Sequence, residues 1–312
     1  MASERASIEA STDAERRERL RAIGMMMVAL LCFACLDATA KYLSAYFAAV
    51  QIIFCRYLSH LVLVVGSTRP SNYADQLWHT NRRGMQFLRA LFMLGATTFN
   101  FIAVRHLQLS ETMSIFFATP FVVALLSGPV LGEWVGPRRL AAICVGFLGV
   151  LIVMRPGLGG LPWQVVYSVL AMLSYACYGI TTRILAPTEK SSTAQFYAAL
   201  TGTLAYLPFV WGYWQQPETW MLAFLLALLG VIGWAGHQFM ITAHRYAPAA
   251  ILSPFIYTEL IWMIGLGFIL FGDVPTAWTL LGASVVIASG LYLLWRERKV
   301  KGDVTVKPVP KS

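Results

Sequence analysis

The sequence has very little charge for its length. Only 12% of its 312 residues are Asp, Glu, Lys or Arg, whereas 58% are apolar, and the mean hydropathy is +0.63. A soluble chain of this size has no place to bury so much apolar surface. The shortage of charge therefore excludes a soluble globular domain and predicts an integral membrane protein whose solvent is lipid.

The sequence also lacks the motifs that carry common enzyme chemistry. It has no Gly-rich phosphate loop, no zinc-ligand cluster and no nucleophile elbow. Its five cysteines all lie in predicted helices, and the Cys32/Cys35 pair has no second ligand pair to complete a metal or redox site. We therefore predict free thiols, no cofactor, no metal and no enzymatic activity. A channel and a membrane-embedded transferase remain as alternatives.

Ten apolar stretches are long enough to cross a bilayer as helices. A spanning helix needs roughly 20 mostly apolar residues, and these stretches lack the two-residue alternation of a transmembrane barrel. The fold class predicted is all-α integral membrane, with ten transmembrane helices. They are expected at 23–43, 48–66, 84–104, 112–131, 138–154, 163–184, 193–213, 222–243, 251–271 and 278–295.

The two halves of the chain repeat each other. Residues 31–41 and 173–183 are both apolar-aromatic segments that end in a cation, and Ala103-Val-Arg-His106 has its counterpart 140 residues later at 243–246. Duplicated halves around one central site are typical of membrane transporters. Because each half has five helices, an odd number, the second half must enter the membrane from the opposite side. We therefore predict two inverted five-helix repeats.

Basic residues predict the orientation. With the N-terminus in the cytoplasm, 19 of the 24 Lys and Arg residues fall on the cytoplasmic side and only three on the other. The positive-inside rule then places both termini in the cytoplasm. The net charge of +9 is thus an orientation signal, and nucleic-acid binding is not expected. We expect a multi-pass protein of a bacterial-type cytoplasmic (inner) membrane.

Short motifs occur in a characteristic order. Phe54-Cys-Arg56 lies in the second predicted helix, and Thr119-Pro120 and Leu131-Gly132-Glu133 lie in the fourth. Over 23–295 the chain resembles the drug/metabolite transporter superfamily, specifically its EamA-type ten-helix members. With Asp37-Ala-x-Ala-Lys41, it is most similar to the branch of riboflavin and S-adenosylmethionine transporters. The resemblance implies a cytoplasmic tail at 1–22, EamA-like repeats at 23–155 and 162–295, and a cytoplasmic tail at 296–312.

Ionisable side chains inside a bilayer are costly, so each needs a partner or a function. Asp37 and Lys41 lie four residues apart on one helix and are predicted either to pair with each other or to act in coupling or gating. Arg56 either anchors helix-end carbonyls or contacts substrate. Arg89, near a helix end, is expected to reach the membrane interface. Glu259 lies in the middle of the ninth helix and is predicted to serve proton coupling or cation recognition, with helix packing as the alternative.

Polar and aromatic residues of several helices are predicted to line a cavity at mid-membrane. Gly230, Gly233 and Gly236 form a smooth strip that predicts close helix packing. The candidate substrate-binding residues are Arg56, Asn100, Thr119, Tyr175, Tyr178, Trp234, His237, Gln238, Tyr257, Glu259 and Trp262, and the candidate coupling or gating residues are Asp37, Lys41 and Glu259.

The function expected from these features is secondary transport of a small organic metabolite by alternating access. The aromatic residues make riboflavin or a similar flat heteroaromatic compound the first expected substrate. S-adenosylmethionine or an amino acid is the alternative. The expected partners are the substrate and the lipid bilayer, and the sequence leaves open a homodimer, the direction of transport and the coupling ion.

Overall fold

The computed structural model describes residues 2–131, 136–155, 162–185, 188–246 and 252–304. All regular structure within these ranges is helical, as predicted. The α-helices are α1 Ala2–Leu43, α2 Ala49–Ser67, α3 Arg83–His106, α4 Leu109–Phe116, α5 Thr119–Leu131, α6 Pro137–Met154, α7 Val165–Leu185, α8 Ser191–Tyr213, α9 Trp220–Tyr246, α10 Glu259–Phe271 and α11 Ala277–Val304. Short helical turns lie at Pro70–Asn72, Ala74–Trp78 and Ser253–Thr258.

Several helices are long and apolar enough to cross a membrane. Large side chains such as Phe147, Phe209 and Ile269 are more than half exposed, as expected for a surface that faces lipid. The chain is therefore a multi-pass membrane protein, while the number of ten spans stays a prediction. The six candidate spans are Leu20–Leu43, Ala49–Ser67, Arg83–His106, Leu109–Leu126, Val165–Thr182 and Trp220–Ala243, and shorter apolar helices lie at Leu140–Met154, Phe255–Phe271 and Ala277–Tyr292.

Two of the predicted spans are interrupted at matching positions of the two halves. The span predicted at 112–131 breaks between α4 and α5, and the span predicted at 251–271 contains a 3₁₀ turn before α10. α5 begins at Thr119 and α10 at Glu259, 140 residues later, which is the offset of the repeat. Pro120 is the second residue of α5, and its missing N–H leaves the carbonyl of Phe116 without a helical partner, whereas Pro254 lies in the 3₁₀ turn. The expectation of two continuous helices was therefore wrong. Paired broken helices are a feature of transporters, in which they border the substrate site.

Helices of the first half pack mainly against helices of the second. The principal partners are α1 with α9, α2 with α8 and α9, α3 with α7 and α8, and α6 with α11. The two halves are therefore interleaved around a common interior. A site in that interior receives side chains from both halves.

Glycines allow some of these backbones to touch. A Cβ atom on Gly230 of α9 would lie 2.6 Å from the carbonyl oxygen of Arg56, and one on Gly236 would lie 2.7 Å from the ring of Phe33. Gly233 differs, since its nearest neighbours would be 3.8 Å away. The predicted close packing of the glycine strip is thus observed at two of its three positions. The Gly132-Glu133 motif lies outside the described residues.

Candidate substrate-binding site

A cavity of about 320 Å³ lies between α1, α2, α3, α4, α7, α9 and α10. Its walls are mostly apolar, and a few polar groups point into it, which is the usual composition of a small-molecule site. Both broken helices reach it. The polar and charged residues that line it are Asp37, Arg56, Thr97, Asn100, Thr112, Thr119, Tyr175, His237, Tyr257 and Glu259.

The two helix breaks are stabilised in the same way. The hydroxyl of Thr119 donates a hydrogen bond of 2.6 Å to the carbonyl of Phe116, and the hydroxyl of Thr258 donates one of 2.6 Å to the carbonyl of Phe255. Each threonine satisfies a carbonyl at the break, which reduces the cost of irregular backbone inside the bilayer. The cavity is therefore bordered by two short helices with stable ends.

Asp37 of α1 is placed at the cavity by a neighbour on α3. Its carboxylate accepts a hydrogen bond of 2.9 Å from the side-chain amide of Asn100. The predicted local pair with Lys41 does not form, because Lys41 lies one turn nearer the helix end and reaches other partners. Its ammonium donates to Asp273 at 2.6 Å and to the carbonyl of Leu107 at 3.0 Å.

Arg56 of α2 is buried, with 5% of its surface exposed. One guanidinium nitrogen donates to the hydroxyl of Thr97 at 2.8 Å, and the guanidinium lies over the rings of Tyr57 and Phe101 at 5.0 and 5.6 Å. Its Nε atom has no hydrogen-bond partner among the described residues. Among the described residues the hydrogen-bond partner of Arg56 is a side chain and not a carbonyl. The choice between a helix anchor and a contact with substrate stays a prediction.

Glu259 is the first residue of α10 and is 8% exposed. Among the described residues none donates a hydrogen bond to its carboxyl group, and Asp37 lies close enough for their charges to interact. The N-terminus of α10 favours a carboxylate through the helix dipole. The charge of Arg56 interacts with Asp37 and compensates part of the negative charge of the cavity. The repulsion between the two buried carboxyl groups still favours binding of a further cation or a proton.

Aromatic rings supply flat surfaces around these charges. Tyr175 stacks on Tyr178 with ring centroids 5.7 Å apart and lies 5.3 Å from Phe116. His237 lies 5.1 Å from the ring of Phe33 and 6.5 Å from that of His60.

Four predicted substrate-binding residues lie outside this cavity. Tyr178 faces a second cavity described below. Trp234 packs against an apolar cluster around Phe196, and Gln238 contributes its backbone carbonyl to Thr242 within α9. Trp262 belongs to the apolar core, and its indole N–H has no hydrogen-bond partner among the described residues.

Several residues that line the cavity were not predicted from the sequence. Thr97 is in this group, although it shares a helical face with Asn100 and Phe101 at the three- and four-residue spacing of α3. Methionine was the second missed signal, since the chain has 12 of them and flexible thioether side chains suit an adaptable binding surface. The methionines that line the cavity are Met26, Met93, Met113, Met240 and Met263.

A second cavity of about 270 Å³ adjoins the first. The two cavities share Arg56, Met93, His237 and Met240 in their walls, and the second extends to the connection between α7 and α8. Arg89 lines it and is only 5% exposed, so the prediction that Arg89 reaches the membrane interface was wrong. The reason is tertiary, because α7 and α8 pack against α3 and enclose this side chain.

A helical, multi-pass membrane chain whose paired broken helices border one central cavity has the architecture of a secondary transporter. The chain belongs to the EamA-like transporter family, which residues 20–155 and 162–295 match as two repeats. This confirms the family expected from the sequence motifs. The protein is accordingly a transporter of small metabolites.

The names of three similar proteins refer to three different transported molecules. The chain is 24% identical to an S-adenosylmethionine uptake transporter of Rickettsia conorii, over 90% of this chain and 94% of that protein. It is 25% identical to the pseudopaline exporter CntI of Pseudomonas aeruginosa, with 86% and 94% covered, and 24% identical to a riboflavin transporter of Vibrio cholerae, with 89% and 94% covered. A solved structure titled "Crystal structure of protein" shares the fold, with a TM-score of 0.61, 15% identity and 88% and 98% covered.

Proposed function

We propose that the central cavity carries a small organic cation or zwitterion with a flat ring, and that S-adenosylmethionine is the first candidate. The observation that supports this most strongly is the pair Asp37 and Glu259, which face one apolar cavity. The charge of Arg56 interacts with Asp37, and no cation pairs with Glu259 among the described residues. A positive group on the substrate would relieve their repulsion. Tyr175 and Tyr257 would hold the ring, and cation–π attraction to them would favour a charged ligand.

The charges reverse the order of substrates expected from the sequence. S-adenosylmethionine has a sulfonium, an ammonium, a carboxylate and an adenine ring, so it uses the two acids, Arg56 and the aromatic walls together. Riboflavin uses the aromatic walls but has no positive group for the acids. It stays as the second candidate because one named relative is a riboflavin transporter.

The transport cycle proposed is alternating access by two inverted five-helix repeats with ten spans. The matching starts of α5 at Thr119 and α10 at Glu259 and the interleaved packing of the halves support this arrangement. The distribution of basic residues supports cytoplasmic termini in a bacterial inner membrane. We propose transport and no catalysis. The cavity offers acidic, basic and aromatic side chains, whose proposed role is to bind a charged ring compound.

The test is ligand-dependent thermal unfolding of the purified protein with S-adenosylmethionine, riboflavin and methionine. A ligand at 100 times its Kd stabilises a protein by about 2.7 kcal/mol, which is a measurable shift. We expect S-adenosylmethionine to stabilise the wild type, with a reduced effect in Asp37→Asn. The control is Asp75→Asn, which changes an exposed acid outside the cavity. Stabilisation by riboflavin alone would replace the first candidate with the second.

A further inference from the structure

The second cavity contains an unusual concentration of buried positive charge. Arg56 and Arg89 both line it and each is 5% exposed. Among the residues the structure describes, no carboxylate forms an ion pair with either guanidinium. Arg56 interacts with the charge of Asp37 without a hydrogen bond to it, and the hydrogen-bond partners of Arg89 among the described residues are all neutral. Two buried cations with so little compensation favour binding of an anion.

Three hydrogen bonds to described residues fix the position of the Arg89 guanidinium. Its Nε donates to Thr182 at 2.8 Å, and its two terminal nitrogens donate to the carbonyl of Ala194 at 3.0 Å and the hydroxyl of Tyr178 at 2.8 Å. The guanidinium also lies 4.7 Å from the centre of the Tyr178 ring. Arginine has five N–H donors, and these three bonds leave two without a partner among the described residues. All three acceptors are neutral, so they fix the position of the charge without neutralising it.

Arg56 of α2 brings a second guanidinium to the lining of the same cavity. It donates a hydrogen bond to Thr97, and its Nε is buried without a partner among the described residues. Carboxylates bind arginine through two parallel N–H donors. A carboxylate between the two side chains would satisfy donors that are otherwise unpaired.

Glu189 lies at the mouth of the cavity and bears on which ligand fits. One of its oxygens accepts a hydrogen bond of 3.1 Å from Gln86, and the other is buried without a partner among the described residues. Lys190 next to it is bound to Asp75 at 2.5 Å, so its charge is already compensated. A ligand anion must therefore compete with one carboxylate at the rim, whereas two guanidinium groups attract it deeper inside.

The geometry points to a second binding site, formed by Arg89 and Arg56, that takes the carboxylate of an organic acid or amino acid. The site stands on its own geometry, and its part in transport rests on the proposed function of the central cavity. Since Arg56 and His237 belong to both cavities, a zwitterionic substrate would leave the two acids of the first cavity and enter the two arginines of the second. The second cavity would then hold the substrate near the α7–α8 end of the molecule.

The first test uses a probe that does not depend on the natural substrate. Purified protein is unfolded thermally with 3-phenylpropionate or with the neutral 3-phenylpropionamide, over a range of concentrations. We expect the acid to stabilise the wild type saturably and more than the amide, and Arg89→Gln to weaken its binding by about tenfold or more. Arg105→Gln, on an exposed arginine of the same helix, should bind the acid as the wild type does. Glu189→Gln should bind it more tightly because the competing charge is gone.

A measurement on the wild type covers the case in which Arg89→Gln does not fold. Phenylglyoxal modification of arginines is followed by mass spectrometry, and we expect the acid, but not the amide, to protect Arg89. Equal stabilisation by acid and amide, unchanged binding in Arg89→Gln, or an Arg89 that the acid does not protect would overturn the proposal. S-adenosylmethionine and its decarboxylated form then show whether the substrate's own carboxylate occupies the site. If neither binds while 3-phenylpropionate does, the substrate proposal fails and the second site stands.

Discussion

At the scale of single residues, Arg56 has the most informative position in the protein. It lies in the wall between the two cavities and its charge has no ion-pair partner among the described residues. Thr97 and two aromatic rings fix the orientation of its guanidinium, which lines both cavities. We therefore propose that Arg56 recognises the substrate, a role that experiment can separate from helix packing.

We predict that Arg56→Gln lowers substrate uptake by about tenfold or more, because a charge-assisted hydrogen bond is lost. The matched variant is Thr97→Val, which removes the orienting hydroxyl and keeps the charge. Uptake in proteoliposomes and thermal stability are measured for both. If Arg56 serves only packing, the two variants will lose similar stability and retain similar uptake, which would contradict the prediction.

Asp75 and Lys190 provide a residue-scale prediction outside the membrane. The hydrogen bond and charge of Lys190 lower the pKa of Asp75 below its ordinary value of 3.8. Because the folded pKa is depressed, the stabilisation is present above pH 3.8 and is lost as the pH falls through the folded pKa. Both side chains are more than half exposed, so the effect at neutral pH is small. Asp75→Asn should unfold at a slightly lower temperature than the wild type at pH 7 and at the same temperature well below pH 3.8. A difference that persists in acid would refute this origin.

The sequence predicted correctly which charged side chains face the interior of the bundle, but it did not predict which residues they contact. Glu259, Arg56 and Asp37 do face the interior, because an ionisable group in an apolar helix has few other places to lie. Lys41 was assigned the wrong partner, since sequence spacing shows only local neighbours and its true partner, Asp273, is 232 residues away. Arg89 was misplaced for the same reason, because the helices that enclose it come from the other half of the chain.

At the scale of helices, the sequence predicted where the helices lie, but it did not predict which of them are broken. The segment predicted at 84–104 is observed as Arg83–His106, because a long apolar run ends where charged residues begin. The breaks before α5 and α10 were missed, since an apolar run has the same hydropathy whether its helix is continuous or not. Pro120 marks the first break, but its counterpart at the repeat offset of 140 is Leu260, so proline gives no matching signal in the second half.

The contact between α2 and α9 gives a prediction at this scale. A Cβ atom on Gly230 would lie 2.1 Å from the hydroxyl of Ser59 and 2.5 Å from the backbone nitrogen of His60. Gly230→Ala should therefore destabilise the fold by about 1–3 kcal/mol, the usual cost of overpacking. Gly233→Ala, one turn away with its nearest neighbours at 3.8 Å, should be neutral or slightly stabilising. Thermal unfolding in detergent compares the two, and equal effects would show that α2 and α9 do not pack this closely.

At the scale of the whole molecule, the two ends of the bundle differ. At one end, Lys41 ties α1 to Asp273 in the connection between α10 and α11, and this bond also joins the two halves of the chain. At the other end, the second cavity reaches the exposed Lys190. In this state the Lys41–Asp273 bond holds the two halves together at one end of the bundle. The second cavity adjoins the first and extends to Lys190 at the other end. An alternating-access cycle requires the reverse arrangement as well, and something must bias one state over the other.

We propose that Glu259 provides that bias. It begins α10, the helix that ends next to Asp273, and its carboxyl group shares the central cavity with Asp37. Because the two acids repel each other when both are ionised, binding of a proton or of a cationic substrate changes the energy of the cavity, and α10 connects that change to the tie at Lys41.

We predict that Glu259→Gln, which resembles the protonated state, still binds substrate but no longer couples its movement to protons. Substrate-driven proton movement in proteoliposomes is compared between the wild type and Glu259→Gln, with binding measured in parallel and Asp75→Asn as the control. A Glu259→Gln protein that moves protons and substrate like the wild type would show that the residue serves only helix packing. Wild-type transport that does not change with pH would likewise remove proton coupling and leave Glu259 as half of a cation-binding pair.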